Sequence, residues 1–78
     1  MKPFSLIGID GNAFSVMGYT SRAMKKAGYS QDDINNYTKL ATSGDYDHLV
    51  VLSMEWIDKC NEVLGLEDEE DDWEDENE

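Results

Sequence analysis

The residues of this sequence best placed to act together are the carboxylates of its C-terminal run. Glu67, Asp68, Glu69, Glu70, Asp71, Asp72, Glu74, Asp75, Glu76 and Glu78 surround a single tryptophan, Trp73. Their chemistry is recognition by charge. Wound as a helix, the run would place a charge about every 1.8 Å along its axis; extended, roughly every 4 Å. Duplex DNA carries one charge per about 1.7 Å, or about 3.4 Å along each strand. Either conformation approximates nucleic acid, so a protein with a basic DNA site would attract this run quickly and salt-dependently. Trp73 offers a large anchor for a pocket, which a run serving only solubility does not require. Solubility alone is the plainer alternative.

The other groups that could do chemistry are sparse. His48 lies beside Asp45 and Asp47, but a general base needs a positioned nucleophile, and the serines are scattered among turns and helix starts. A hydrogen-bonded residue near a helix start is the expectation for His48. Cys60 is the only cysteine, which excludes an intramolecular disulfide and a thiolate zinc cluster from one chain. It falls on an apolar helix face and is expected to be buried and inert. Asp10-Gly11-Asn12 has the first spacings of a calcium loop without the later ligands. It reads more simply as a strand-to-helix turn, with Gly11 at positive φ and Asn12 as a cap. No catalytic residue, metal site or cofactor is expected, and the chain is not read as an enzyme.

Arg22, Lys25 and Lys26 fall at i, i+3 and i+4 of a predicted helix and share a face. Three cations are fewer than a nucleic-acid reader usually shows, so direct nucleic-acid binding is not expected. The face is either simply solvated or a docking patch, for which the acidic run of the same chain is the nearest candidate.

The elements that must position these groups follow from charge and periodicity. The chain has 78 residues and a formal net charge of −12. Residues 1–64 hold eight acids against six bases, a net −2, whereas residues 65–78 hold ten acids and no base. The boundary therefore falls near Gly65: a small helical globule over 1–64 and a disordered acidic tail over 65–78, too charged to offset its ordering entropy. A globule of this size buries only about 60% of its chain's surface and is marginal, so self-association or a partner could add stability.

The expected fold is mostly α with one short N-terminal strand, in the order β-α-α-α. Phe4-Ser-Leu-Ile-Gly-Ile9 reads as the strand, to be paired with its copy in a homodimer or packed as an arm. Asn12 caps a helix from Ala13 to about Ala27, with Phe14, Met17, Ser21 and Met24 as its apolar stripe and Gly28 closing it. Gly18 weakens this helix or serves close packing. Ser30 to Asp33 forms a capping box for a second helix to about Ala41, with Ile34, Tyr37 and Ala41 on one face. Thr42-Ser43-Gly44 breaks it. Asp45 caps a third helix to about Leu64, the central core helix, with apolar positions Leu49, Val50, Leu52, Trp56, Ile57, Cys60, Val63 and Leu64. Lys2 is followed by only a short apolar run, so neither a signal peptide nor a membrane span is expected.

Two segments, Ile7-Gly-Ile-Asp-Gly-Asn-Ala-Phe14 and Thr42-Ser-Gly-Asp-Tyr-Asp-His-Leu49, resemble motifs shared by small bacteriophage- and prophage-encoded proteins of unknown function. The likeness runs over roughly Leu6 to Asp58, including Ala27-Gly28 and Met54-Glu55-Trp56, and excludes the acidic run. It implies a phage origin, a shared fold and the host cytoplasm as location. It supplies no activity and no catalytic residues.

Together these readings lead to a small phage-type accessory protein. It binds a protein partner with a basic surface, such as a DNA-binding protein, and its acidic run is a nucleic-acid mimic or competitor. The alternative is a structural or assembly module, homodimeric through the N-terminal strand, whose acidic run serves solubility.

Overall fold

Short local signals at the helix ends divide the chain into three helices. In the computed structural model, which describes residues 2–66, these are α1 (Ala13–Lys26), α2 (Gln31–Ala41) and α3 (Tyr46–Leu64). The acidic run from Glu67 onward, with Trp73, lies outside the described residues. The Asn12 side chain accepts from the Phe14 N–H and starts α1. Ser30 and Asp33 form a reciprocal capping box on α2, and the Asp45 carboxylate accepts from the His48 N–H at the start of α3. Each satisfies a donor that a helix N-terminus otherwise leaves open.

The C-terminal ends use glycine where a left-handed residue is required. Gly28 has φ +93°, and the Tyr29 N–H reaches the Met24 carbonyl while the Gly28 N–H reaches that of Lys25. Gly65 repeats the device at φ +73°, with the Leu66 N–H on the Asn61 carbonyl at 2.8 Å. Both are paired 6→1 and 5→2 closures that absorb the last orphan carbonyls.

The core lies where the three helices meet. α1 contributes Val16, Thr20, Ala23 and Met24; α2 contributes Ile34, Tyr37 and Ala41; α3 contributes Leu49, Ser53, Ile57 and Cys60. Around it pack Phe4, Leu6, Met17, Tyr29, Leu52 and Trp56. The rings of Tyr29 and Trp56 meet edge to face at 5.1 Å, and Lys59 Nζ sits over the outer face of Trp56 at 5.1 Å. Two core members are hydroxyl residues. Thr20 Oγ1 donates to the Val16 carbonyl at 2.9 Å and Ser53 Oγ to that of Leu49 at 2.7 Å, so neither is buried unsatisfied.

The N-terminal strand is not formed: the described residues contain helices and turns but no strand, which corrects the expected β-α-α-α order to three helices. Residues 4–9 are broken by Gly8 at φ +87° and folded back by an Ile9 N–H to Leu6 carbonyl bond of 3.1 Å. The side chain of Asn61 does the work of a neighbouring strand. Its Oδ1 accepts from the Phe4 N–H at 2.8 Å, and its Nδ2 donates to the Phe4 carbonyl at 3.0 Å. A homodimer built on that strand therefore loses its element.

The stripe expected on α1 is corrected at Phe14, which is 80% exposed; Met24 is buried and Met17 packs against the core as expected, and Val16, Thr20 and Ala23 complete the buried face. On α3, Val63 is exposed as well. Small residues at 20 and 23 let the helices approach closely, and the internally bonded Thr20 behaves as an apolar side chain there.

Gly18 has no packing role, because a Cβ built on it meets nothing within 4 Å. Gly18→Ala should therefore stabilise the protein by about 0.5–1 kcal/mol, the helix cost of glycine relative to alanine. Urea denaturation should show a higher midpoint at unchanged slope; a lower midpoint would mean that another contact occupies this face.

Candidate functional site: a basic aromatic groove

The last two turns of α1 carry Arg22, Lys25 and Lys26, all exposed, and one turn earlier carry the half-buried Tyr19. Cations suit this end of the helix, where they face the negative pole of its dipole. Tyr19 is three residues before Arg22 and seven before Lys26, so its ring lies on the same side. A second aromatic residue reaches it from the N-terminal segment. Phe4 meets the Tyr19 ring edge to face, with centroids 5.8 Å apart and planes at 75°. The Ser5 N–H donates to Tyr19 Oη at 2.8 Å and fixes that approach.

Phe4, Tyr19, Arg22, Lys25 and Lys26 together line an open groove of about 490 Å³. Its walls are mainly apolar ring and methylene surface, with three positive heads at the rim. The groove contains no nucleophile and no acid. What it can do is hold a flat apolar group whose neighbours are negatively charged. Of the site residues named from the sequence, the structure brings Arg22, Lys25 and Lys26 together. The acidic set of Glu67 to Glu76 with Trp73 lies outside the described residues.

The sequence did not point to Phe4, Tyr19 or Asn61. Tyr19 had a usable signal in its helical spacing to Arg22 and Lys26. Phe4 had none, because Asn61 brings it in from 57 residues away.

The remaining chemical candidates hold the fold together. His48 Nε2 donates to the Leu40 carbonyl at 2.8 Å, tying the start of α3 to the end of α2. A Cβ on Gly44 would meet its ring at 2.9–3.0 Å, so only glycine lets the imidazole lie there. Cys60 is buried, and desolvation raises its thiol above the usual range, which keeps it in the unreactive protonated form. Asp10 Oδ1 accepts from the Asn12 N–H, and Asn12 Oδ1 from that of Phe14. Gly11 does not have the positive φ expected of it; its carbonyl instead receives the Tyr46 hydroxyl, tying the turn to α3, and the left-handed glycine lies earlier, at Gly8. Among the described residues no cluster of three metal-ligating side chains occurs, and no helix is long and apolar enough to cross a membrane.

Comparison with known protein families, curated proteins and solved structures returns no match, so the reading of this site rests on the chain's own residues and geometry.

Proposed function

We propose that this chain is a small phage-type accessory protein that acts in the host cytoplasm by occupying the basic surface of a DNA-binding protein. In this reading the carboxylates of residues 67–78 take the place of backbone phosphates, and Trp73 anchors them. The observation that carries it is the segregation of charge: a net −2 over residues 1–64 and ten acids without a base over residues 65–78.

The helix architecture adds a second support. The acidic run follows the C-terminus of α3, where the helix dipole repels negative charge and where the last turn carries no base. Carboxylates in that position do nothing for α3. They raise the charge density of the chain and so its long-range attraction to cationic surfaces. Trp73 separates this role from solubility alone, since an indole in a solubility tail brings cost without gain.

The test is competition. Duplex DNA is loaded on DNA-binding proteins of the bacterial host, and the full chain is compared with one whose acids from 67 to 78 are changed to Asn and Gln. The full chain should displace DNA, with an affinity that drops tenfold or more as salt rises from about 50 to about 200 mM, as expected when several charge contacts form. Equal competition by the neutralised chain, or displacement insensitive to salt, would sink the proposal.

An assembly module is the second reading, supported by the exposure of Ile7 at 90% and Phe14 at 80%. A stable oligomer in sedimentation, together with an acidic run that can be neutralised without consequence, would favour it.

A further inference from the structure

We infer that the groove formed by Phe4, Tyr19, Arg22, Lys25 and Lys26 is the docking site of the chain's own acidic run, with the Trp73 indole packed against the paired rings of Phe4 and Tyr19 and the flanking carboxylates on the three cations. The inference deepens the proposed function by giving the run an internal competitor, but its physical basis is independent of any partner.

Three observations on the two sides match. The groove offers aromatic edges and apolar stems with a positive rim. The acidic run contains one large aromatic residue, flanked by Asp72 on one side and Glu74 and Asp75 on the other. A flat ring bordered by negative charge is the ligand chemistry this groove accepts, by edge-to-face packing, cation–π contact and charge-assisted hydrogen bonds.

The path of the chain provides the third observation. Leu66, the last described residue, is hydrogen-bonded through its N–H to the Asn61 carbonyl, and the Asn61 side chain grips Phe4, a wall of the groove. The acidic run therefore leaves the globule beside the groove it would enter. The seven residues from Glu67 to Trp73 can span at most about 25 Å when extended, ample for a start this close. A tether of that length gives an effective concentration in the millimolar range, so even weak docking is populated.

Docking of this kind masks the carboxylates from weak cationic surfaces and yields them to a stronger one. The groove thus sets a threshold for engagement, and salt lowers it by shortening the screening length from about 10 Å at 0.1 M to about 3 Å at 1 M.

The experiment uses isotope-labelled full-length protein without a partner. At low salt, nuclear Overhauser contacts are expected between the Trp73 indole and the rings of Phe4 and Tyr19, and they should vanish at about 1 M salt, where screening is nearly complete. Trp73→Ala and the triple change Arg22→Gln, Lys25→Gln, Lys26→Gln should each shift the Ser5 and Tyr19 amides at low salt toward their high-salt positions. The Trp73 substitution lies outside the helical core, so it reads docking even where the triple variant folds poorly. Superposed Ser5 and Tyr19 amides in wild type and Trp73→Ala at low salt would overturn the inference. So would a Trp73 indole resonance identical to that of an isolated 67–78 peptide, or contacts that grow with protein concentration and thus come from a second copy. Because no DNA-binding protein is present, this result and the competition result can each fail alone.

Discussion

Tyr37→Ala is expected to leave the protein largely unfolded at 25 °C, whereas Tyr37→Phe should cost only about 1 kcal/mol. Tyr37 is fully buried, the largest such side chain among the described residues. Truncating a buried aromatic residue to alanine costs about 3–5 kcal/mol. A folded part of this size has a total stability of only about 3–10 kcal/mol at the usual per-residue value. The phenolic oxygen contributes less, and its role can be assigned. Tyr37 Oη and Ser53 Oγ lie 2.6 Å apart, and Ser53 Oγ also lies 2.7 Å from the Leu49 carbonyl. A carbonyl can only accept, so the Ser53 hydroxyl proton goes to Leu49, and Tyr37 donates to Ser53.

That direction predicts an order. Tyr37→Phe removes a donor from an oxygen that keeps its own bond, a loss of about 1 kcal/mol. Ser53→Ala strands the buried Tyr37 O–H without an acceptor, a loss of about 1–3 kcal/mol. The double change should cost less than the sum of the two, since it removes the stranded donor as well. Denaturation of the full chain measures all four species. A Tyr37→Phe loss larger than that of Ser53→Ala would reverse the donor assignment, and strict additivity would mean that the pair is not coupled.

The same residues show where the sequence was legible. Asn12, Ser30 with Asp33, Asp45, Gly28 and Gly65 all act as read, and each helix ends within a residue of its expected bound. Caps are decided by atoms one to four residues away, so the local sequence contains the whole interaction. Which face becomes the core is decided elsewhere. Thr20 and Ser53 count as polar in any periodicity, yet each directs its hydroxyl to a carbonyl of its own helix and is then free to be buried. Phe14 counts as core, yet at the start of α1 it lies outside the region the other helices cover. The N-terminal segment shows the same limit: Phe4, Leu6, Ile7 and Ile9 have the composition of a strand, but strand formation requires a neighbour. Here the neighbour is one side chain. The basic face of the candidate site was legible from i, i+3, i+4 spacing alone, while its aromatic wall depends on a contact across nearly the whole globule.

That contact gives the second large effect. Asn61→Ala should release the N-terminal segment, lower stability by about 1–3 kcal/mol and leave the three helices in place. The side-chain amide makes two hydrogen bonds to one residue, accepting from the Phe4 N–H and donating to the Phe4 carbonyl. Each contributes about 0.5–1.5 kcal/mol. The backbone carbonyl of Asn61 separately receives the Leu66 N–H, so the close of α3 does not depend on the side chain. Asn61→Asp is the sharper variant. It keeps the acceptor for the Phe4 N–H but sets a carboxylate oxygen against the Phe4 carbonyl, where two acceptors meet and no proton lies between them. It should therefore be no more stable than Asn61→Ala despite its closer shape. The measurement is amide exchange of Phe4 and Ser5 together with the Phe4–Tyr19 ring contact. Exchange should quicken by about ten- to a hundredfold, at 1.4 kcal/mol per factor of ten, while the core amides of α3 keep most of their protection. Unchanged exchange at Phe4 in both variants would show that ring packing on Tyr19 holds the segment without the amide. Loss of the ring contact would also open one wall of the groove, so these variants should lose the Trp73 contacts while Arg22, Lys25 and Lys26 remain in place: the cations would still attract the acidic run, but nothing would seat its indole.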